Sequence, residues 1–289
     1  MRNRLIFSPW IALAPALILT VILLGASLFY GVAQSLGLMS VIGQDSISLD
    51  AYINLLSGQG MAGREFWGSL AFSLWISISS TLISAFLALL LAVWLSELKH
   101  TGAAENLALN WNQAFPHLVW AVALLLFFSQ SGLLARWAAT LGLIQTPAEF
   151  PVLVRDRFGI GIILHYVSKE IPFLALIILA VLRRQSTGYT QVAENLGATR
   201  WQRIRLVTLP LVAPALLSGT LLVFAFIFSS YEVPALLGVN YPRMLPVLAL
   251  RFFNDPDLRS RADGMAISLI ITIIVLVVAT VSLKKGEQV

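Results

Sequence analysis

The sequence predicts an all-α integral membrane protein with about six transmembrane helices. Of its 289 residues, 58% are hydrophobic and only 11% are charged, whereas soluble domains carry about a quarter charged residues. Six segments are apolar and approach the roughly 20 residues that a helix needs to cross a bilayer. A chain of this composition lacks the polar surface that would keep it in water.

The first apolar segment, residues 10–32, follows a basic N-terminus. A secretory signal peptide is the alternative, but its apolar core usually runs for only about 7–15 residues. This segment is longer, and we therefore expect a retained first helix. The second segment, residues 67–95, has Trp67 and Trp94 near its ends, where aromatic anchors at the membrane interfaces are common.

Residues 114–128 form the core of the third predicted helix, which Trp111 precedes. The fourth, residues 160–182, contains Lys169 and Glu170 near its middle. Ionisable side chains at that depth are expensive and usually face a cavity or a protein partner. The fourth helix is therefore a candidate for a functional site.

The fifth predicted helix, residues 206–230, is entered through Pro210 and Pro214, and the sixth covers residues 266–283. The segments between the helices on the predicted outer side are long and contain Gly, Pro and mixed charge. We expect short interfacial helices within them. These outer segments are residues 33–66, 129–159 and 231–263.

Dense basic clusters lie at both ends of the chain and between the fourth and fifth helices. An even number of spans places both termini on one side, and loops rich in Lys and Arg usually stay in the cytoplasm. We therefore expect both termini to be cytoplasmic. Membrane topology also explains the formal charge of +5 better than a nucleic-acid partner does. The basic residues on the predicted cytoplasmic side are Arg2, Arg4, Lys99, Arg183, Arg184, Arg200, Arg203, Arg205, Lys284 and Lys285.

The segment between the fourth and fifth helices carries the most informative local pattern. Gly197 can adopt the left-handed conformation that ends a helix. Thr199, followed three residues later by Gln202, fits a capping box that starts the next helix. We expect two short helices with a corner on the cytoplasmic face, which suits docking into a groove of another protein.

This segment resembles the loop of ABC importer permeases, whose pattern is Glu-Ala-Ala, three residues, Gly, nine residues, Ile, any residue and Leu-Pro. The spacing matches throughout, although Gln replaces the first Glu and Val replaces the first Ala. The Gln weakens any charge-dependent contact at the start of the loop but leaves its shape intact. The matching positions are Gln191, Val192, Ala193, Gly197, Val207, Leu209 and Pro210.

The resemblance implies a MetI-like bundle in the bacterial inner (cytoplasmic) membrane. It divides the chain into an N-terminal helix and outer loop, residues 1–65, and a five-helix core, residues 66–289. A coupling helix would lie at about residues 186–208. Its expected ATPase-coupling residues are Gln191, Ala193, Gly197, Arg200, Arg203, Leu209 and Pro210. Residues 169–173 and 232–238 also resemble the branch that serves polyamine, ferric iron, thiamine and inorganic anion importers, but they assign no solute.

In that family two permease subunits, identical or homologous, pair within the lipid bilayer. They dock on two cytoplasmic ATPase subunits and receive solute from an external binding protein. The implied mechanism is alternating access, in which ATP closes the ATPase dimer and the coupling helices move the spans. The chain has no Gly-x4-Gly-Lys-Ser/Thr phosphate loop. We therefore expect a non-catalytic permease subunit without a cofactor of its own, with ATP bound by the partners.

Several residues are candidates for the solute pathway or its gate: His165, Lys169, Glu170, Pro172 and Glu232. Each also has an ordinary structural interpretation. Lys169 and Glu170 could form an ion pair with another helix or reach the interface. His165 could simply pack in the core, Pro172 could produce an ordinary kink, and Glu232 could terminate the fifth helix.

Two other classes of protein are alternatives. A secondary transporter driven by an ion gradient would predict inverted repeats and paired broken helices, which the sequence does not display. A membrane-embedded hydrolase would need a nucleophile with its base or a set of metal ligands. The sequence contains no His-Glu-x-x-His or Gly-x-Ser-x-Gly motif and no cysteine, so neither chemistry has a candidate site.

Overall fold

The computed structural model describes residues 9–98, 102, 107 and 109–286. Arg2, Arg4 and Lys99, which contribute to the predicted orientation, lie outside these residues, as do the side chains of Lys284 and Lys285. Apart from an isolated bridge between Met39 and Gln44, the described residues form helices and loops. The predicted all-α class is confirmed.

Six helical segments in the described part of the chain are long and apolar enough to cross a membrane, as predicted. These spans, numbered here in chain order, are Leu13–Ser35, Gly60–Glu97, His117–Thr140, Ile160–Arg184, Arg200–Ser229 and Ser260–Val281. The first belongs to the helix Pro9–Ser35, the fourth to the helix Ile160–Asn195 and the sixth to the helix Ser260–Gly286.

Short helices also form in the long outer segments, as expected. The helix in the first segment buries Ala51 and Leu55, and the first helix in the last segment buries Val233, Pro234 and Leu237. Their bounds are Asp50–Ser57, Glu232–Leu237 and Leu245–Phe253. The 3-10 turns Ser40–Ile42, Asn112–Ala114 and Pro147–Glu149 complete the connections.

The chain divides into two compact units. The described residues up to Arg64 form the first unit together with Ala249–Ile270, and Glu65–Leu248 form the second with the described residues from Ile271 onward. In the first unit the hydroxyl of Tyr52 donates to Oγ of Ser35 at 2.8 Å. The division into residues 1–65 and 66–289 that the family resemblance implies remains a prediction.

The second span presents a buried face of small residues within the second unit. The spacing of three and four residues places these side chains on one side of the helix, where small residues let membrane helices approach closely. The amide of Leu245 donates to Oγ of Ser73 at 2.7 Å on this face. Its members are Ser69, Ser73, Ser77, Ser80, Ser84, Ala88 and Ala92.

Trp67 and Trp94 are both about half exposed on this span. They are separated along the helix by about 40 Å at 1.5 Å per residue. This matches the roughly 40–45 Å thickness of a bilayer with its headgroup regions. Their positions agree with the predicted role as interfacial anchors.

The third span differs from the prediction because its helix starts later and is interrupted. The predicted core begins at residue 114, but the helix His117–Phe128 begins only after Phe115 and Pro116, which are both extended. A residue before proline avoids the helical region for steric reasons, which accounts for Phe115. The helix stops again before Ser129 and resumes as Leu133–Thr140.

The fourth span belongs to a longer helix than the predicted 160–182. The carboxylate of Asp156 starts it by accepting from the amides of Phe158 at 2.9 Å and Gly161 at 3.2 Å. The helix then continues to Asn195 and runs through Pro172 without interruption. Its 36 residues measure about 54 Å, so its C-terminal part extends beyond the thickness of a bilayer.

Candidate functional site

The predicted corner in the segment between the fourth and fifth spans is confirmed. Gly197 is left-handed, with φ of 77°. Its amide donates to the carbonyl of Glu194 at 2.9 Å, and the amide of Ala198 donates to the carbonyl of Ala193 at 3.0 Å. This pair of bonds is the Schellman motif, which satisfies the last carbonyl groups of a helix.

Conformation, not space, makes glycine necessary at this corner. A Cβ atom built on Gly197 would meet no atom of the chain within 4 Å. A left-handed conformation costs an L-residue about 1–2 kcal/mol. The corner angle therefore depends on the backbone freedom of Gly197 rather than on close packing within the chain.

The predicted capping box at Thr199 is confirmed as well. The amide of Thr199 donates to Oε1 of Gln202 at 2.8 Å, and the amide of Gln202 approaches Oγ1 of Thr199 at 3.4 Å. The helix Arg200–Arg203 follows at once. Two reciprocal bonds thus fix where the second arm of the corner starts.

The two arms are not the separate short helices that we expected from the sequence. The first arm is the end of the 36-residue helix Ile160–Asn195. The second arm, Arg200–Arg203, continues through the π-helical turn Ile204–Thr208 into the helix Leu209–Ser229. The corner therefore joins the extended ends of the fourth and fifth spans directly.

Pro210 accounts for the π-helical turn. Proline has no amide hydrogen to donate, and its ring clashes with the carbonyl four residues earlier, that of Leu206. The chain relieves this by widening one turn, and the amide of Leu209 donates to the carbonyl of Ile204, five residues back. Leu209 and Pro210, both exposed, thus occupy the junction between the second arm and the fifth span.

Two arginines of the segment contact carboxylates of this chain. Arg203 forms an ion pair with Glu194 across the corner. Arg200 contacts Glu97 at the end of the second span, with Nε to Oε1 at 3.1 Å and Nη2 to Oε2 at 2.7 Å. Such exposed pairs usually contribute less than about 1 kcal/mol to stability, so their main effect is on geometry.

Exposed apolar side chains lie along both arms of the corner. Tyr189, Val192 and Leu196 follow the spacing of one helical face, and Leu196 is 82% exposed. Trp201 on the second arm is 69% exposed. Apolar side chains that face neither the core nor the predicted lipid region typically mark a protein contact. We name these four residues the docking patch.

The remaining residues of the predicted coupling segment surround this patch. Gln191 is exposed and Ala193 is half-buried on the first arm. Gln191 also lines a cavity of about 520 Å³, together with Glu97, Arg200 and Arg203. The structure therefore brings all the predicted coupling residues to one corner of the second unit, with the second span as an additional neighbour.

Lys169 and Glu170 are buried in the second unit, at 2% and 6% exposure. The ammonium group of Lys169 donates to the carbonyl of Asn112 at 2.7 Å and to that of Phe115 at 2.8 Å. In return, Nε2 of Gln113 donates to the carbonyl of Lys169 at 2.5 Å. The fourth span is thus bonded to the chain that precedes the third helix.

These bonds explain why a lysine is tolerated at this depth. Phe115 lies before the start of the third helix, so its carbonyl has no helical partner, and hydrocarbon supplies no donor to satisfy it. The ammonium group of Lys169 supplies this bond and a second one to the carbonyl of Asn112, which also accepts from the amide of Phe115. Lys169 therefore acts as a brace for the chain that enters the third span.

His165 lies one turn before Lys169 and is fully buried. Its Nε2 is 3.2 Å from Nδ1 of His117, so the two rings form a pair although 48 residues separate them. Next to them, Nε1 of Trp120 donates to Oγ of Ser168 at 2.8 Å. No sequence pattern joins His117 to this cluster, because the contact depends on how the third and fourth spans pack.

Pro172 and Glu232 lie apart from these bonds. Pro172 is buried in the continuous helix of the fourth span. Glu232 is exposed at the first residue of the helix Glu232–Leu237, where a carboxylate favours a helix N-terminus. Among the residues that the structure describes, no group of three or more His, Asp or Glu side chains is placed to hold a metal ion.

Six apolar helices and an exposed corner between the fourth and fifth spans define a polytopic α-helical membrane protein. Residues 150–285 match the family described as "Binding-protein-dependent transport system inner membrane component". The matched residues contain the corner, Lys169 and the fifth and sixth spans.

Curated relatives agree with this family. The inner membrane ABC transporter permease protein YnjC of Escherichia coli is 32% identical over 169 residues, which cover 57% of this chain and 31% of that protein. The sulfate transport system permease protein CysT of Escherichia coli is 30% identical over 140 residues, 48% of this chain and 47% of that protein. The chain thus spans about a third to a half of the length of these relatives.

A longer alignment joins the trehalose/maltose transport system permease protein MalF of Thermococcus litoralis. It is 28% identical over 244 residues, covering 83% of this chain and 80% of that protein. Among solved structures, a bacterial ABC transporter involved in the import of the acidic polysaccharide alginate matches with a TM-score of 0.70. It covers 97% of this chain and 98% of that chain at 18% identity, so this likeness concerns the fold.

Proposed function

We propose that this chain is the membrane-spanning permease subunit of an ATP-driven importer of the cytoplasmic membrane. The observation that carries the proposal is the exposed corner at Gly197, whose two arms are continuous with the fourth and fifth spans. A partner that moves this corner would move two spans together. The chain itself supplies no ATP chemistry, because its sequence lacks a phosphate loop.

The docking patch is the contact for a cytoplasmic ATPase subunit of the ATP-binding cassette class. Its apolar side chains, Tyr189, Val192, Leu196 and Trp201, project from a corner that the Schellman motif and the capping box hold rigid. Binding an ordered corner costs less conformational entropy than binding a flexible loop. Two copies of the ATPase would serve the complex, one for each permease subunit.

A second permease subunit, of the same or a homologous sequence, completes the pathway. An external solute-binding protein delivers the solute. This last partner is supported by a structural neighbour, a bacterial alginate ABC transporter in complex with an alginate pentasaccharide-bound periplasmic protein, with a TM-score of 0.68 at 18% identity. The outer segments that we predict to face that partner include Glu232.

Orientation follows from the same arrangement. If the docking patch faces the ATPase, the corner between the fourth and fifth spans lies in the cytoplasm, and an even number of spans places both termini there. The arginines at 183, 184, 200, 203 and 205 agree with this side. The first span, most of whose side chains from Leu13 to Val32 are exposed, would face lipid or the partner permease.

The buried cluster around Lys169 forms part of the gate between the two access states. Rigid-body movement of the fourth span would move Lys169 together with the chain at Asn112 and Phe115, because the three are hydrogen bonded. Small shifts of the fourth span would then displace the start of the third span as well. His165 and Glu170 pack beside this brace.

The proposal is tested by purifying the chain alone and together with a candidate ATP-binding cassette ATPase of the same organism. The chain alone should hydrolyse no ATP, and the complex should do so. Replacing Leu196 with Ser should remove the ATPase from the purified complex while leaving the chain in the membrane. ATP turnover by the isolated chain, free of contaminants, would contradict the proposal.

A further inference from the structure

The contact between Arg200 and Glu97 joins two parts of the second unit that are distant in sequence. Arg200 is the first residue of the second arm, placed by the capping box at Thr199. Glu97 is the last residue of the helix Gly60–Glu97. Both nitrogen–oxygen contacts are made, at 3.1 and 2.7 Å, so the pair restrains orientation as well as distance.

Arg203, three residues later, makes a different kind of contact. Arg203 pairs with Glu194, and both belong to the corner itself. That pair holds the two arms against each other. Arg200 instead ties the corner to the second span, which takes part in neither arm.

The contact between Arg200 and Glu97 lies at the wall of a cavity. Arg200 and Glu97 line the cavity of about 520 Å³, together with Val93 and Ser96 of the second span. The side chains of Arg200 and Glu97 are 62% and 39% exposed. A pair so exposed adds little to folding stability, and its consequence is therefore the relative position of the two elements.

We infer that Arg200 and Glu97 form a strut that makes the second span move with the coupling corner. This inference rests on the proposed docking of an ATPase at the corner. Through its buried face of small residues, the second span packs along most of its length in the second unit. A displacement of its end at Glu97 would therefore be transmitted into the bundle, in addition to the displacement of the fourth and fifth spans.

The natural absence of cysteine makes the test direct. Ser96→Cys at the end of the second span and Arg205→Cys beyond the second arm introduce two exposed positions for spin labels. Electron paramagnetic resonance then measures the distance between the labels in the complex with its ATPase, without nucleotide and with ATP. No solute is required.

With the strut intact, the distance between the labels should be the same in the two nucleotide states, because the two elements move together. Arg200→Gln should let ATP shift or broaden this distance. The exchange Glu97→Arg with Arg200→Glu should restore the original behaviour, since the pair is reversed but complete. Arg157→Gln is the matched control, because it removes an exposed arginine of the predicted outer side that belongs to neither the corner nor the second span.

Two results would overturn the inference: an ATP-dependent change of the distance in the parent complex, or an unchanged narrow distance in Arg200→Gln. Failure of the proposed function is recognised separately. If the labelled parent chain and the unmodified chain both fail to retain the ATPase, the docking assignment is wrong, and the strut falls with it.

Discussion

The ammonium nitrogen of Lys169 lies 2.8 Å from the carbonyl oxygen of Phe115, which is extended immediately before Pro116. A lysine in an apolar span and a carbonyl without a helical partner before a neighbouring helix are each unfavourable in hydrocarbon. Together they satisfy each other, since the ammonium group needs acceptors and the carbonyl needs a donor. The fourth and third spans are therefore interdependent at this level.

Replacing Lys169 with Met tests this dependence. Met fills much of the same space but donates no hydrogen bond, so the carbonyl of Phe115 loses its donor and that of Asn112 retains only the amide of Phe115. A buried group left unsatisfied costs about 1–3 kcal/mol, and the melting temperature in detergent should fall accordingly. Leu164→Met, on the partly exposed side of the same span, is the control and should change little. A Lys169→Met chain as stable as the parent would argue against the brace.

The left-handed conformation of Gly197 predicts an unequal effect of two substitutions. Gly197→Val should weaken retention of the ATPase, because a β-branched residue resists φ of 77°. Gly197→Asn should be mild, because Asn adopts this conformation readily and no atom of the chain lies within 4 Å of the added Cβ. Co-purification of the ATPase with each variant is the measurement. Equal behaviour of the two variants would show that the corner conformation does not control docking.

The docking patch predicts a position-specific effect of a single polar substitution. Leu196→Ser should reduce binding of the ATPase at least about tenfold, as expected when a central apolar contact of an interface is removed. Leu143→Ser, at an exposed leucine of the predicted outer side, should leave binding unchanged. Both variants can be compared by titrating purified ATPase onto the chain in nanodiscs. A loss of binding in both, or in neither, contradicts the assignment of the patch.

The proposed orientation predicts the location of two reporter fusions. A reporter at the C-terminus should be active only when it requires the cytoplasm, because six spans place both termini on one side. A reporter inserted within residues 231–263 should be active only outside. A C-terminal reporter that works only outside would show that the topology is the reverse of the proposed one. The docking patch would then lie on the side of the membrane opposite to the ATPase.

Local features of the corner were predictable from the sequence. Gly197 as a left-handed residue and Thr199 with Gln202 as a capping box depend on residues at most three apart, and the structure contains both. The π-helical turn was not predicted, although Pro210 marked its place. A missing amide hydrogen can be accommodated by a kink, a break or a wider turn, and the neighbours decide among them.

The long-range contacts of the same region could not be predicted. Lys169 contacts carbonyls 54 and 57 residues away, and Arg200 contacts a carboxylate 103 residues away. No pattern in a single sequence specifies which helices are adjacent. The ion pair of Arg203 and Glu194 could have been predicted, because opposite charges flank the glycine corner in the sequence.

The most direct test of the proposed function is site-specific crosslinking from the docking patch in intact membranes. A photoreactive amino acid at position 196 should form an adduct with an ATP-binding cassette ATPase, identified by mass spectrometry. The same residue at position 143 should not. Either of two results would contradict the account of this chain as a permease subunit driven through the corner at Gly197. One is an adduct between position 196 and external proteins. The other is an ATPase adduct from position 143 without an ATPase adduct from position 196.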